Sequence, residues 1–143
     1  MPGITVGIDG SDNANHALIW ATAEAAQRGV PLTVLTVHET VAGYWSGQPL
    51  HFAGDEPLVQ HARESAEQAV AAAAKETGAE IQVTVHAING FAAQALIDAS
   101  ASSDLVVVGT RGGGGFPHLH LGAVSSQVVH HAKCPVVVVP HDR

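Results

Sequence analysis

Five short runs of aliphatic and β-branched residues recur along the chain, at Ile4–Ile8, Leu32–Val37, Ile81–Ala87, Leu105–Val108 and Val136–Val139. Four of them are almost continuously apolar, and only Ile81–Ala87 alternates with polar residues. A strand that is apolar on every residue must be covered on both faces, which happens when helical crossovers join strands of a parallel sheet. The stretches between the runs fit such crossovers. Right-handed connections then leave few topologies. The expected fold is α/β, a three-layer open sandwich with a five-stranded parallel sheet between two helical layers. At 143 residues the chain is expected to form one domain, over 1–143. Ligands in such sheets bind beyond the carboxyl ends of the strands, where the strand order reverses.

The helices carry their own punctuation. Ser11 or Asp12 serves as a cap for the first, whose apolar residues Ala14, Ala17, Leu18, Ala21 and Ala25 recur at spacings of three and four; Gly29 ends it and Pro31 forbids continuation. Residues 39–54 show no period and contain Tyr44, Trp45, three glycines and Pro49, which reads as a surface loop near the ligand. Asp55 caps a long alanine-rich helix that Gly78 ends, with Ala62, Ala66, Ala69, Val70 and Ala73 as its buried stripe. Asn89-Gly90 turns the third strand into a short helix, Phe91 to Ala101. A fourth helical pattern runs from Val124 to Ala132.

Charge and composition narrow the partners. Thirteen acidic and six basic side chains give a net charge of −7, and the six cations are scattered, so nucleic acid and anionic membranes are poor candidates. No apolar run approaches the ~20 residues that span a bilayer. The N-terminus has no basic n-region, and the single Cys134 fits a reducing compartment, so the expected location is the cytoplasm.

The chemistry concentrates between Gly109 and Ser126, Gly-Thr-Arg-Gly-Gly-Gly-Gly-Phe-Pro-His-Leu-His-Leu-Gly-Ala-Val-Ser-Ser, a glycine-rich joint between the fourth strand and the last helix. Glycines let a ligand approach the backbone, and the helix start near Gly122 offers unpaired N–H groups and the positive end of the macrodipole. Those are the parts of a phosphate cradle, with Arg111 as its cation. No Gly-Lys-Ser/Thr follows, so it is not a P-loop, and it does not follow the first strand as a dinucleotide fingerprint does. The second feature is Asp9-Gly10-Ser11 at the end of the first strand. Gly10 and Ser11 suffice for a turn and a cap, whereas an aspartate at the end of a central strand points to a ligand.

Gly109, two residues, Gly112, nine residues, then Gly122 resembles the nucleotide-binding signature of the universal stress protein family, and Val6-Gly7-Ile8-Asp9-Gly10-Ser11 is similar to its amino-terminal Asp-Gly-Ser stretch. Ala123 stands where the family's ATP binders carry a hydroxyl; Ser125 matches a second hydroxyl position. The resemblance implies the strand order 3-2-1-4-5, which brings the Asp9 turn opposite the glycine loop. It further implies that Asp9 and Gly10 reach the nucleotide and that Val37 borders the adenine with its backbone groups. Val108 and Gly109 would flank base and ribose, and Gly112, Gly122, Ala123, Val124 and Ser125 would supply donors to the phosphates. The missing hydroxyl at Ala123 costs one hydrogen bond, typically ~0.5–1.5 kcal/mol, or roughly tenfold in ATP affinity.

The function implied is binding of ATP or another adenine nucleotide, with or without Mg²⁺, in a stress-response sensor or modulator. A slow Mg²⁺-dependent ATPase with Asp9 holding the ion, and a nucleotide-free interaction module, are the alternatives. Residues for hydrolysis are not evident: Cys134 precedes a strand-initial proline and reads as core, and Ser125 and Ser126 show no base and acid partners. His118 and His120 lie in the loop and can meet a phosphate when protonated, while the adjacent His130 and His131 point about 100° apart on their helix and suit one ion poorly. No zinc set is completed. Finally, Val136–Val139 is an apolar edge strand in the implied order, and pairing with a second copy would cover it, as family dimers do.

Overall fold

The computed structural model describes residues 2–9, 12–38, 44–45, 48–49, 55–110 and 121–140. Its elements are β1 (Ile4–Ile8), α1 (Asp12–Arg28), β2 (Leu32–His38), β3 (Tyr44–Trp45), β4 (Gln48–Pro49), α2 (Asp55–Thr77), β5 (Val83–Asn89), α3 (Ala92–Ser100), β6 (Leu105–Gly109), α4 (Leu121–His131) and β7 (Val136–Val139). Five strands form one parallel sheet in the order β5-β2-β1-β6-β7, which is the expected 3-2-1-4-5. Helices α1 and α2 cover one face, α3 and α4 the other.

Burial follows the apolar runs. Every residue of β1 and of β6 is buried, because these strands sit at the centre with helices on both sides. Burying one such side chain stabilises by roughly 1.5–3 kcal/mol, and Val6, Val106, Val107 and Val108 are fully enclosed. The α1 stripe Ala14, Ala17, Leu18, Ala21 and Ala25 is buried as its spacing predicts, and Ala66 and Ala73 anchor α2. Alanine at these positions lets both helices lie close to the sheet. Gly29 and Gly78 take φ of 69° and 68°, the left-handed conformation that ends a helix and suits glycine.

Two sequence expectations are corrected. The third strand of the main sheet is Val83–Asn89 rather than Ile81–Ala87. Register decides this: Ile88 and Asn89 pair with Val37 and His38, and the Gly90 N–H donates to the His38 carbonyl at 3.0 Å, so pairing outlasts the apolar run. Residues 39–54 were expected to lack regular structure, yet β3 and β4 form a short antiparallel ladder with Tyr44 opposite Pro49 and Trp45 opposite Gln48. Two residues, Ser46 and Gly47, separate these strands in sequence, the commonest hairpin spacing.

Candidate functional site

The backbone at the centre of the sheet opens at its carboxyl end. Along a strand, successive residues turn their N–H and C=O to opposite neighbours. In β2 the even-numbered residues serve β5, since Leu32 N–H donates to the Gln82 carbonyl at 2.9 Å and the His38 carbonyl accepts from Gly90. The odd-numbered residues therefore face β1. The last registered pair there is Ile8 with Thr36, so Val37 turns its carbonyl toward the β1 side one residue beyond that pair.

The same accounting applies between β1 and β6. Val106 and Thr110 donate their N–H groups to the Pro135 and Val139 carbonyls, on the β7 side, at 3.0 and 3.2 Å. Gly109 consequently faces β1. In β1 the odd residues face β6, as the Gly3 carbonyl does in accepting from Asp104 N–H at 2.8 Å. Registered pairing ends at Val6 with Val107, although the strands continue to Ile8 and Gly109. Past that pair the Gly7 carbonyl and the Gly109 backbone still face the neighbouring strand, beyond the end of the registered ladder. This is the switch point of the sheet, where the order reverses from β1 outward in both directions.

A cleft of about 320 Å³ lies over the ends of β1 and β2 on the α3 side, lined by Gly7, Asp9, Thr36, Val37, His38, Ala92 and Leu96 among others. That is enough for a small molecule. Gly7 has a structural reason to be glycine, since a Cβ built there would stand 2.8 Å from Leu96 Cδ1, and Leu96 is 1% exposed. Leu96 and Ala92 thus form a wall that the sequence alone did not single out. The signal was present in the spacing of α3, whose buried residues Leu96 and Ser100 lie one turn apart. At its far end α3 is tied down: Lys133 N–H donates to the Ser100 hydroxyl at 2.8 Å, and the Thr5 and Ser103 hydroxyls bond at 2.7 Å.

The residues proposed from sequence divide into three groups. Asp9 and Val37 line the cleft together, and Asp9 is exposed at its rim instead of buried in the sheet. Val108, Gly109, Ala123, Val124 and Ser125 stand at the end of β6 and the start of α4; Gly122 is the second residue of that helix. The Val108 and Val124 side chains are in the core, which leaves only their backbone groups for a ligand. Gly10, Ser11, Arg111, Gly112, His118 and His120 lie outside the described residues.

Other candidates take structural places. Cys134 packs against the core, and its thiol is pushed above the usual cysteine range by burial and then by the nearby Asp104 charge, so it stays protonated and poorly nucleophilic at neutral pH. His130 and His131 are exposed at the end of α4, with ring centroids 5.8 Å apart in an edge-on arrangement. Among the described residues, no cluster of three or more His, Cys, Asp or Glu side chains could hold a metal ion. No helix among them is long and apolar enough to cross a membrane.

Comparison with known proteins agrees with this architecture. Residues 2–140 match the universal stress protein family, and the chain belongs to it. A universal stress protein of Mycolicibacterium smegmatis is 37% identical over 144 residues, covering 98% of this chain and 48% of the relative. The chain spans about half the length of the curated relatives it matches. Among solved structures, a universal stress protein in complex with cAMP is 24% identical with a TM-score of 0.68, covering 97% of this chain and 96% of the other. One from Archaeoglobus fulgidus in complex with dAMP is 24% identical with a TM-score of 0.66, covering 97% and 98%. At these identities the likeness speaks for the fold.

Proposed function

We propose that this protein binds an adenine nucleotide at the carboxyl end of β1, β2 and β6 and acts as a sensor or modulator in a stress response in the cytoplasm. The observation that carries the reading is that registered pairing stops at Val6 with Val107 and at Ile8 with Thr36, so that the Gly7, Val37 and Gly109 backbones reach past the paired residues at the mouth of a cleft with a carboxylate at its rim. In this reading the Val37 carbonyl accepts from the exocyclic amino group of adenine, and Asp9 accepts from the ribose hydroxyls. The phosphates lie over Gly109 and the first turn of α4, with Gly10, Arg111 and Gly112 completing their cradle. Support also comes from two relatives of the same fold that were solved with cAMP and dAMP.

ATP is one of several adenine nucleotides that fit. Magnesium enters only as an ion carried on the phosphates, with Asp9 the one carboxylate among the described residues lining the cleft. Calorimetric titration with ATP, ADP, AMP and cAMP tests the proposal: saturable binding at one site per chain is expected, and no heat with any of them at millimolar concentration contradicts it. The latter result would favour a nucleotide-free interaction module, the reading to which the methyl group of Ala123 points.

The proposal extends to assembly. β7 lies at the sheet edge with Val138 37% exposed, and antiparallel pairing with β7 of a second copy would cover that edge. Light scattering at micromolar concentration is expected to give a dimer mass; a monomer mass rejects the pairing.

A further inference from the structure

β5 is an edge of the main sheet, and no strand among the described residues pairs with its outer side. Gly90 N–H donates to the His38 carbonyl and the Gln82 carbonyl accepts from Leu32 N–H, so the even-numbered residues along this strand serve β2. Val83, Val85 and Ala87 therefore turn their N–H and C=O groups outward. A seven-residue strand with such a side is a template for a further strand. Beside this edge runs a groove of about 720 Å³ between β5 and the first turns of α2, lined by Pro57, Val59, Gln60, Arg63, Ala87 and Ile88 among others. It shares no described lining residue with the nucleotide cleft.

One side chain marks the edge. Arg63 reaches over from α2 and donates from Nη1 to the Val85 carbonyl at 2.9 Å, as the outward turn of that carbonyl allows. A guanidinium carries several further N–H donors in a rigid fork that matches a carboxylate. Arg28 on α1 is paired with Glu24 at 2.7 Å, whereas Arg63 has no carboxylate partner among the described residues. Its neighbour Glu64 is exposed and accepts from Gln60 at 3.4 Å. Arg63 is also the one charged side chain among the described residues lining the groove. Exposed charges farther away than ~8 Å are largely screened at physiological salt. The net charge of −7 therefore does not decide the sign at the groove.

We propose that the β5 edge is a docking site for an extended peptide segment of a partner protein that carries an acidic side chain opposite Arg63. The segment adds to the sheet as a further strand. Val83, Val85 and Ala87 exchange main-chain hydrogen bonds with it, which gives affinity, and the side-chain contacts give selectivity. Arg63 moves from the Val85 carbonyl onto the incoming carboxylate, where the charge-assisted pair is the stronger bond. The freed carbonyl accepts an N–H of the segment, so no backbone group is left unsatisfied by the exchange. A lysine at the same place in the segment meets the guanidinium as a like charge. A second copy of this chain would bring its own Arg63 to the edge, so the charge favours an acidic segment over self-pairing.

The probes are two dye-labelled peptides, Ser-Thr-Val-Asp-Val-Thr-Ser and the same sequence with lysine in place of aspartate. Fluorescence anisotropy with the full chain is expected to show saturable binding of the acidic peptide and about tenfold weaker binding of the lysine peptide. Arg63→Gln, checked for folding by circular dichroism, is expected to bring the two affinities together, and Arg63→Lys to keep part of the difference. The comparison of the two peptides on the parent protein stands whether or not the variants fold. Amide shifts during titration with the acidic peptide are expected to be largest at Val83, Val85 and Ala87. A peptide methylated at its backbone nitrogens is expected not to bind. No binding of the acidic peptide at millimolar concentration, equal affinity of the two peptides for the parent, a preference retained in folded Arg63→Gln, or shifts centred on β7 overturns the proposal. Shifts of the β5 amides on concentrating the protein alone would show that a second copy takes this edge, and would overturn it as well. The nucleotide reading stands or falls separately, on the titrations described for it.

Discussion

Leu96→Ala is expected to destabilise the fold by about 2–5 kcal/mol, a large share of the ~5–15 kcal/mol available to a domain. Leu96 is 1% exposed and is the part of α3 that presses on the centre of β1. Truncation removes its transfer energy and leaves a cavity over Gly7, which has no side chain to fill it. Urea unfolding measures the loss as a lower midpoint at unchanged slope. The neighbouring glycine provides an internal control. Gly7→Ala alone places a methyl group 2.8 Å from Leu96 Cδ1 and is expected to destabilise by roughly 1–3 kcal/mol. In the Leu96→Ala background that methyl enters vacated space, so the double variant is expected to be more stable than the sum of the two losses implies. Simple additivity would show that the two residues do not share the packing described.

The second large effect concerns binding. Asp9→Ala is expected to weaken nucleotide affinity by about 10- to 150-fold, the equivalent of the ~1.5–3 kcal/mol typical of a hydrogen bond to a charged group. Stability is expected to change little, because Asp9 is exposed at the end of β1 and contributes no buried side chain to the core. Asp9→Asn keeps the size and an acceptor oxygen, so its loss of affinity is expected to be smaller. The combination to look for is a large change in nucleotide affinity with a thermal midpoint near that of the unmodified protein. A variant that binds as well as the parent removes Asp9 from the site.

The layout of the molecule was legible in the sequence because its signals are physically strong. Doubly covered strands leave continuous apolar runs, and both central strands are buried along their whole length as those runs require. Gly29 and Gly78 mark helix ends because few other residues accept their backbone conformation. The order of the strands is different in kind: alternation of strand and helix restricts it, and the resemblance carried by Asp9-Gly10-Ser11 and the Gly109–Ser126 spacing selected it. Edges were harder to read. The third main strand slipped by two residues because its end is set by pairing with Val37 and His38, which a local pattern does not contain. The β3–β4 ladder was missed because Tyr44, Trp45, Gln48 and Pro49 make too short a pattern to show a period.

Within the site, Asp9 and Val37 were found by their places at strand ends, and they do line one cleft. Leu96 and Ala92, which wall the cleft, were not singled out. Their role depends on which helix covers which part of the sheet, and that is a property of the assembled layers.

The central claim is that an adenine nucleotide sits where the β1–β6 ladder ends. Amide chemical-shift mapping of the labelled protein during titration with AMP tests it most directly. The account predicts the largest shifts at Gly7, Asp9, Val37 and Gly109 and in the first turn of α4, with β5 and the far ends of the strands unchanged. Shifts confined to other surfaces, or none at saturating millimolar AMP, would contradict it.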